Sequence, residues 1–293
     1  MSSYAIITPV RNEGQHFQET IDSVVSQTVQ PIAWVIVDDG SSDSTPQLIA
    51  TAVSQHAWIH AVRRSDRGFR KQGGGVIEAF YEGFGRIQAM PWDFLVKLDG
   101  DLSFAKTYFQ DCLAKFACDD RLGIGGGRIY SQLRGAVVED SPGDPSFHVR
   151  GATKIYRRVT WESIGGLVSA PGWDTLDEVK ANMLGWRTYS FSDLHLLQLK
   201  FTGSADGAWK NWLKNGRANY IAGYHPLFML LKCIKRSFRR PYGVAALGLF
   251  TGFSTGYLKR ISRVPDPALI RYIRCQQLNF ILGKQSLWGR TSQ

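Results

Sequence analysis

The chain has 293 residues, of which 44% are hydrophobic and 20% are charged, a globular composition that argues against intrinsic disorder. Its four cysteines are scattered without a CxxC pair, which argues against a zinc site or a disulfide framework. The net charge of +10 is concentrated in the last third, because residues 1–199 contain 19 Lys and Arg against 23 Asp and Glu, whereas residues 200–293 contain 16 against 2.

The first hundred residues alternate short apolar runs with amphipathic segments. Apolar runs predict strands at residues 4–8, 33–37, 58–62 and 94–98, and Pro9 is expected to break the first of them. Apolar residues recur at helical spacing within 17–25, 45–53 and 76–87, and Thr45, as N-cap before Pro46, is typical of a helix start. Strands that alternate with helices form parallel βαβ units, so the sequence predicts an α/β fold with a mostly parallel sheet.

Two carboxylates follow the fourth predicted strand, where Asp99 and Asp101 flank Gly100. In an open α/β sheet, ligands bind at the carboxyl ends of the strands. Mg²⁺ is typically held by one or two protein carboxylates together with the phosphates of its substrate. We therefore predict that Asp99 and Asp101 hold a divalent cation against a nucleoside diphosphate. The alternative is an Asp-Gly turn in which Asp101 caps the next element.

Three motifs stand in order at successive predicted strand ends: TPVRNE at 8–13, VDDGSSD at 37–43 and LDGD at 98–101. Together they resemble the family 2 glycosyltransferases with the GT-A fold, in which the same three loops converge on a nucleotide-sugar. The resemblance covers residues 3 to 200 well and the remainder only loosely. It implies a Rossmann-like, mixed and mostly parallel sheet flanked by helices.

The resemblance also implies donor contacts from these loops, by Pro9, Arg11, Glu13, Asp38, Asp39 and Asp99. Asp38 and Asp39 would accept the ring N–H of uracil or a similar base, unless they only close an Asx turn. Glu13 could instead cap the following helix. In the Gly-rich loop, Arg70 and Lys71 could approach the pyrophosphate; the alternative is a solvated basic loop, since the Arg-Asn pair usual in the family is missing.

A second chemical stretch, GWDTLDE at 172–178, precedes a predicted helix that ends at Gly185. The family places its catalytic base here, usually as Glu-Asp before a helix that ends in Gly plus an aromatic residue. Counting back from Gly185, Asp174 takes the position of that Asp, and Trp173 replaces the Glu. We therefore predict Asp174 as the base, with Asp177 second; the alternative for both is helix capping.

His195 follows a predicted edge strand. Related transferases carry a His near this point that completes metal coordination or contacts the diphosphate. The resemblance therefore implies a Mn²⁺ or Mg²⁺ site formed by Asp101, Asp99 and His195. A structural role for His195 within an apolar run is the alternative.

The basic last third contains two uncharged stretches, 218–231 and 242–258, on either side of a cationic cluster formed by Lys232, Lys235, Arg236, Arg239 and Arg240. Both are shorter than the roughly 20 residues of a spanning helix. They predict an interfacial amphipathic hairpin with cations at anionic headgroups and apolar side chains in the acyl boundary: Phe228, Leu247, Leu249, Phe250 and Phe253. The alternatives are a helical subdomain packed on the catalytic core or a homo-oligomer contact. No nucleic-acid-binding module accompanies the charge.

We expect a GT-A catalytic domain over residues 1–205, with a nucleotide-sugar half at 1–104 and an acceptor half at 105–205, followed by a basic helical region at 206–293. The implied function is inverting, metal-dependent transfer of a sugar from a nucleoside-diphosphate sugar, with UDP favoured, to a hydroxyl acceptor in polysaccharide or glycolipid assembly. The acceptor could be lipid-linked. The N-terminus shows no secretory pattern, so we expect a cytoplasmic protein on the inner face of the cell membrane.

Three alternatives to this function remain open from the sequence. A polyprenyl-phosphate sugar synthase would use the same donor site. A sugar nucleotidyltransferase would share a similar sheet, but would normally show a Gly-rich, basic loop directly after the first strand, whereas residues 9–14 contain one Gly. A non-catalytic nucleotide-binding or polyanion-binding protein would use the basic tail.

Overall fold

The computed structural model describes residues 2–66, 74–133, 135–200, 208–238 and 242–289. Its first half alternates strands and helices in the predicted order: β1 (Tyr4–Val10), α1 (Phe17–Val25), β2 (Ala33–Asp38), α2 (Thr45–Gln55), β3 (Ile59–Arg63), α3 (Gly75–Ile87) and β4 (Phe94–Leu98). These strands run parallel in the order β3-β2-β1-β4. The α/β fold expected from the sequence is confirmed.

The central strands are buried on both faces, which is why they read as continuous apolar runs. One hydrophobic layer includes Phe17 of α1 and Trp34 of β2, and the other includes Val35 of β2 and Phe80 of α3. Neighbouring residues of β2 thus point to opposite layers, as the two-residue period of a strand requires. Helices cover both faces of the sheet. The loops at the carboxyl ends of the strands are therefore the part of the sheet that is available to form a binding site.

The second half of the sheet is mixed. It consists of β5 (Leu102–Phe104), α4 (Tyr108–Cys118), β6 (Leu122–Leu133), β7 (Ala136–Glu139), β8 (Thr153–Arg157), α5 (Arg158–Ile164), α6 (Trp173–Met183) and β9 (Arg187–Gln198). Strand β8 lies antiparallel between β4 and β6, while β9 pairs parallel with β6 and antiparallel with β5. Among the described residues, one sheet of nine strands results.

Two local predictions were wrong in detail. Pro9 does not break β1, which continues to Val10 and pairs Pro9 with Val37 of β2. On its other side, β1 pairs with β4 only as far as Ile7. At Pro9 the strand therefore has a single neighbouring strand, and the N–H that proline lacks is not needed for pairing with β4. Thr45 is the first residue of α2 rather than its N-cap, a position taken by Ser44.

The C-terminal region is helical, with α7 (Ala208–Ile221), α8 (Pro226–Ser237), α9 (Val244–Leu258) and α10 (Pro267–Ile281). The apolar stretch at 218–231 is not one helix, because it spans the end of α7 and the start of α8. Helices α7 and α9 pack very closely: a Cβ added to Gly252 of α9 would lie 2.1 Å from the carbonyl oxygen of Leu213. Across the described ranges, none of the helices is long and apolar enough to cross a membrane.

These helices dock on the α/β half through a third hydrophobic cluster, in which Leu176 and Val179 of α6 pack with residues of α7 to α10. Five apolar residues were predicted to enter a membrane boundary. Three of them, Phe228, Leu249 and Phe253, are instead buried in this cluster, whereas Leu247 and Phe250 are exposed. The region is therefore both a packed helical unit, as the alternative held, and a source of exposed apolar surface.

Candidate active site

The loops after β1 and β2 are joined by hydrogen bonds that start from Asp38. One carboxylate oxygen of Asp38 accepts the N–H of Ser41 at 2.8 Å, which is the Asx turn that the sequence left open. The Ser41 hydroxyl accepts the N–H of Asn12 at 3.0 Å, and the Asn12 side chain accepts the N–H of Ser42. The second carboxylate oxygen of Asp38 is buried without a hydrogen-bond partner among the described residues, so the turn does not use the whole group.

Asp39 is held in place by two arginines. The Arg11 guanidinium donates to the Asp39 carbonyl at 2.9 Å and pairs with Asp66 at 2.6 Å. Arg64 donates to the Asp39 carboxylate at 2.7 Å. Gly40 makes this approach possible, because its φ is +78° and a Cβ there would lie 2.6 Å from the Asp66 Cα. Asp39 is thus an oriented, partly neutralised carboxylate at the strand end.

The acidic loop after β4 meets the same edge through Val10. The N–H of Asp39 donates to the Val10 carbonyl at 2.8 Å. A Cβ added to Gly100 would lie 2.5 Å from Val10 Cγ1, so only glycine fits between Asp99 and Asp101 without displacing the Val10 side chain. The acids after β2 and β4 therefore flank the end of one strand.

Asp101 is buried, and its environment disfavours its charge. Burial, and then the neighbouring Asp99 carboxylate, raise the pKa of Asp101 to about 7. A hydrogen bond of 3.1 Å from the Gln198 side chain partly opposes this shift. A buried carboxylate beside a second carboxylate is the arrangement that a bound divalent cation would relieve.

Lys200 links the first loop to the end of β9. Its ammonium group lies 2.8 Å from one carboxylate oxygen of Glu13, 187 positions away in the sequence. The other oxygen of Glu13 is buried without a hydrogen-bond partner among the described residues. The backbone N–H of Glu13 also donates to the Thr45 hydroxyl, so Glu13 is fixed at both ends and does not act as a simple helix cap.

His195 does not lie beside the acidic loop. Gln198, not His195, is the residue of β9 that contacts Asp101, and in the β5–β9 pairing Gln198 is opposite Leu102. His195 is three residues away, roughly 10 Å along the strand, where its ring packs on Tyr130. The structure therefore does not place His195 beside the predicted metal site, because the register of β9 against β5 and β6 could not be read from the sequence.

The residues present fit a cation held by Asp99 and Asp101. Within the part of the chain that the structure describes, no group of three or more His, Cys, Asp or Glu side chains could enclose a metal ion. Magnesium sites commonly take only one or two carboxylates and complete their coordination with water and substrate phosphate. The structural feature that favours such a site is the buried Asp101 carboxylate, whose pKa is raised by burial and by the neighbouring Asp99.

Cation binding at this site is expected to depend on pH. Asp101 has a pKa of about 7 and is protonated below that value, so a cation must compete with a proton there. Mg²⁺ affinity should therefore be about tenfold higher at about pH 8 than at about pH 6. Titrating Mg²⁺ in the presence of UDP while following Tm checks this, with UDP alone as the reference. Equal Mg²⁺ affinities at the two pH values would contradict it.

Asp174 lies in the first turn of α6. It approaches the acidic loop after β4 from the α6 side, whereas the loops after β1 and β2 meet that loop at Val10. A Cβ added to Gly151 would lie 3.3 Å from the Asp174 Cβ. The Gly151 carbonyl accepts a hydrogen bond from Lys97 at 2.6 Å, and Lys97 also pairs with Asp99. Asp174 and Asp99 therefore share a neighbour, and Asp174 is partly exposed, as a base must be.

Trp173 replaces the Glu that the resemblance implies, and its ring lies near two buried lysines that are neighbours in the β4–β8 pairing. The ammonium groups of Lys97 and Lys154 each lie 5.5 Å from the Trp173 ring centroid. Cations at this distance are attracted to the face of an indole. Trp173 therefore contributes packing and orientation to the start of α6, not a second carboxylate.

Asp177 is not available as a base. Its side chain is fully buried, lies 2.9 Å from the Lys154 ammonium and accepts a hydrogen bond from the Tyr156 hydroxyl at 2.5 Å. A carboxylate with both oxygens engaged in the interior cannot take a proton from an acceptor in solution. The structure therefore contradicts Asp177 as the second candidate, because α6 turns it inward toward β8.

Glu178 and His148 extend this buried ionic cluster. Glu178 lies 2.8 Å from the Lys154 ammonium and 2.8 Å from the His148 ring. Burial alone would lower the pKa of His148, but the Glu178 carboxylate beside it raises that pKa to about 9. Two cations thus face two carboxylates, Asp177 and Glu178, and the cluster anchors α6 to the sheet.

Replacing Lys154 by Met should destabilise the fold by about 3–5 kcal/mol, because Asp177 and Glu178 would lose the cation between them. Urea denaturation at neutral pH measures this loss. Lys115→Met is the matched control, since the Lys115–Asp193 pair is on the surface and should contribute about 0–1 kcal/mol. A Lys154→Met variant as stable as the control would show that the cluster does not hold α6.

Arg70 and Lys71 lie outside the described residues, so their predicted contact with the pyrophosphate remains a prediction. Sequence reasoning missed Lys97, Lys154 and Gln198, which the structure brings to the site. A signal existed for the two lysines, because each interrupts or borders an apolar strand and so must be buried with a partner. For Gln198 and Lys200 no local signal exists, since their partners lie at the far end of the chain.

The sequence and the structure were both compared with known proteins. Residues 5–163 match the family model described as glycosyl transferase family 2. A curated relative, glycosyltransferase GlyG of Streptococcus pneumoniae serotype 4, is 25% identical over 64 residues. That alignment covers 22% of this chain and 21% of GlyG, so it concerns only a small part of either protein.

Solved structures share the fold over most of the chain. The mannosyltransferase PcManGT from Pyrobaculum calidifontis, in complex with GDP-Man and Mn²⁺, matches with a TM-score of 0.54 and 15% identity, over 92% of this chain and 78% of that one. A fragment of TarS from S. aureus, in complex with UDP-GlcNAc, matches with a TM-score of 0.53 and 15% identity, over 89% and 73%. At such identities the likeness concerns the fold alone.

Proposed function

The chain belongs to glycosyl transferase family 2, and on that basis we propose that it transfers a sugar from a nucleoside-diphosphate sugar to a hydroxyl acceptor with inversion of the anomeric centre. The observation that carries the proposal is the convergence of the loops after β1, β2 and β4 on the end of one strand. The family membership favours a glycosyltransferase over the non-catalytic alternative and over a sugar nucleotidyltransferase.

The nucleotide is assigned to the β1–β2 side of this edge. Arg64 pairs with the Asp39 carboxylate and Arg11 holds the Asp39 backbone carbonyl, so the side chain is oriented, and a carboxylate accepts the ring N–H of uracil. This favours UDP as the carrier. The related structures contain GDP-Man and UDP-GlcNAc, so a guanine nucleotide is the specific alternative.

The diphosphate is assigned to the loop after β4. Asp99 and Asp101 would hold Mn²⁺ or Mg²⁺, which when bound neutralises charge on the departing diphosphate. Lys97 holds Asp99 from the buried side, and Gln198 orients Asp101, so both carboxylates are fixed before the donor arrives. A related transferase was crystallised with Mn²⁺, which supports a divalent ion without choosing between the two.

The acceptor is assigned to the α6 side. Asp174 would remove the proton from the acceptor hydroxyl as that oxygen attacks the anomeric carbon. The buried cluster under α6 fixes the position of Asp174, because Lys154 also donates to the Asp174 carbonyl. Attack from the face opposite the diphosphate inverts the configuration at the anomeric carbon. We propose a hydroxyl on a growing polysaccharide or glycolipid as the acceptor, with a polyprenyl phosphate as the alternative.

Assaying a panel of donors tests the proposal. The full chain is incubated with UDP-, GDP- and dTDP-sugars and Mn²⁺, with and without EDTA, and free nucleoside diphosphate is measured. We expect slow, Mn²⁺-dependent release from one nucleotide class, with UDP-sugars first, and faster release when a hydroxyl acceptor is added. No release from any donor under these conditions would overturn the proposed function.

A further inference from the structure

Helix α8 exposes a continuous apolar stripe. Its members follow the helical spacing i, i+3, i+4, i+7 and i+11 and comprise Leu227, Leu230, Leu231, Ile234 and Phe238, each at least 41% exposed and Phe238 77%. The opposite face of the same helix is buried in the third hydrophobic cluster through Phe228, Met229 and Cys233. Helix α8 is therefore apolar on both sides, and only one side has a partner within the described chain.

Helix α9 repeats this arrangement. Its glycines at 248, 252 and 256 lie on one face and pack against α7, while Val244, Leu247, Phe250 and Leu258 are exposed, Leu258 to 81%. Helices α8 and α9 also contact each other, so the two apolar stripes belong to neighbouring elements. Exposed apolar surface of this extent on a folded protein usually marks an interaction site.

The charged residues of the segment that carries the stripes have one sign. Residues 207–265 contain 11 Lys and Arg and not a single Asp or Glu. Lys235 is exposed on α8, and Lys259 and Arg260 are exposed directly after the end of α9. Lys232 and Arg236 instead lie over the rings of Tyr224 and Trp212. The stripes are therefore bordered by cations that reach solvent.

We propose that the exposed faces of α8 and α9 bind the surface of an anionic lipid bilayer, with the apolar stripes in the acyl boundary and the bordering cations at the headgroups. Apolar helix faces with basic borders bind membranes in this way, lying in the plane of the interface. A second copy of the chain is disfavoured as the occupant, because its matching face carries the same positive charge. A nucleic acid would leave the apolar stripes uncovered.

Co-sedimentation of the full chain with vesicles tests this. Vesicles of phosphatidylcholine alone are compared with vesicles that also contain phosphatidylglycerol, at low and high salt. We expect binding to the anionic vesicles only, weakened by salt. The double variants Leu230→Gln/Ile234→Gln on α8 and Leu247→Gln/Phe250→Gln on α9 should each lower the partition coefficient at least roughly tenfold.

The matched control is Leu133→Gln/Val137→Gln, which removes two exposed apolar side chains from the β6–β7 hairpin and should bind as the unmodified chain does. Thermal melting shows that each variant is folded, and the comparison of lipids needs no variant at all. The proposal is overturned if phosphatidylglycerol does not increase vesicle binding of the unmodified chain. It is overturned as well if the control variant loses as much binding as the α8 and α9 variants. It is also overturned if the unmodified chain is a dimer that the α8 or α9 variant dissociates, which would assign the stripes to a second copy.

Discussion

Asp101→Asn is expected to lower sugar transfer by roughly a thousandfold or more, because a cation that neutralises the leaving diphosphate would lose a charged ligand. The same change should leave Tm unchanged or higher. Burial and the Asp99 charge already disfavour the ionised form of Asp101, so a neutral isostere relieves repulsion. Loss of activity with retained stability separates a metal ligand from a structural residue.

Donor turnover with Mn²⁺ and thermal melting, measured on the same sample, check this prediction. The matched control is Asp120→Asn, an exposed acid in the turn before β6, which should retain full activity. The Mn²⁺-induced rise in Tm should disappear with Asp101→Asn and persist with Asp120→Asn. If Asp101→Asn transfers sugar at the normal rate, the loop after β4 does not hold the ion.

Asp174→Asn is expected to lower transfer by about a hundredfold to ten-thousandfold while donor binding is preserved, since a general base contributes to the chemical step. The proposed contacts with the nucleotide lie on the β1–β2 side of the edge, whereas Asp174 lies at the start of α6. Binding of the nucleoside diphosphate by calorimetry and transfer under saturating donor measure the two effects separately. Weakened donor binding with an unchanged rate would place the base elsewhere.

Two further variants sharpen the assignment of the base. Glu162→Gln on α5 removes an exposed acid whose pair with Arg158 lies on the surface, and it should change neither rate nor stability appreciably. Asp177→Asn should act through stability, because it disrupts the buried contacts with Lys154 and Tyr156. A folded Asp177→Asn protein with full stability and no transfer would restore Asp177 as a candidate for the base.

The sequence was sufficient for the parts of the site that depend on local pattern. Apolar runs that end in acids, alternating with amphipathic segments, imply parallel strands whose ends meet at one edge, and this placed the loops after β1, β2 and β4 together. Asp174 was singled out by the resemblance, and the structure places it in the first turn of α6. The resemblance supplied the family, and the match over residues 5–163 confirms it.

The sequence failed where a residue's role depends on its position within a strand or on the face of a helix. His195 was placed beside the metal because the register of β9 could not be known, and a shift of three residues moves a side chain by roughly 10 Å. Asp177 follows Asp174 by three residues, yet α6 turns it into the interior. The apolar residues of α8 and α9 were recognised, but which of them were buried was not.

What the sequence alone determined is the α/β order of the catalytic half, the acidic strand ends and the basic character of the last third, because each is set by neighbours within a few positions. Only the tertiary structure decided the partners of those acids. Lys154 meets Asp177 from 23 positions away and Lys200 meets Glu13 from 187, because β8 and β9 insert into the sheet out of chain order. The energy of such pairs depends on burial and geometry that form only when the sheet closes.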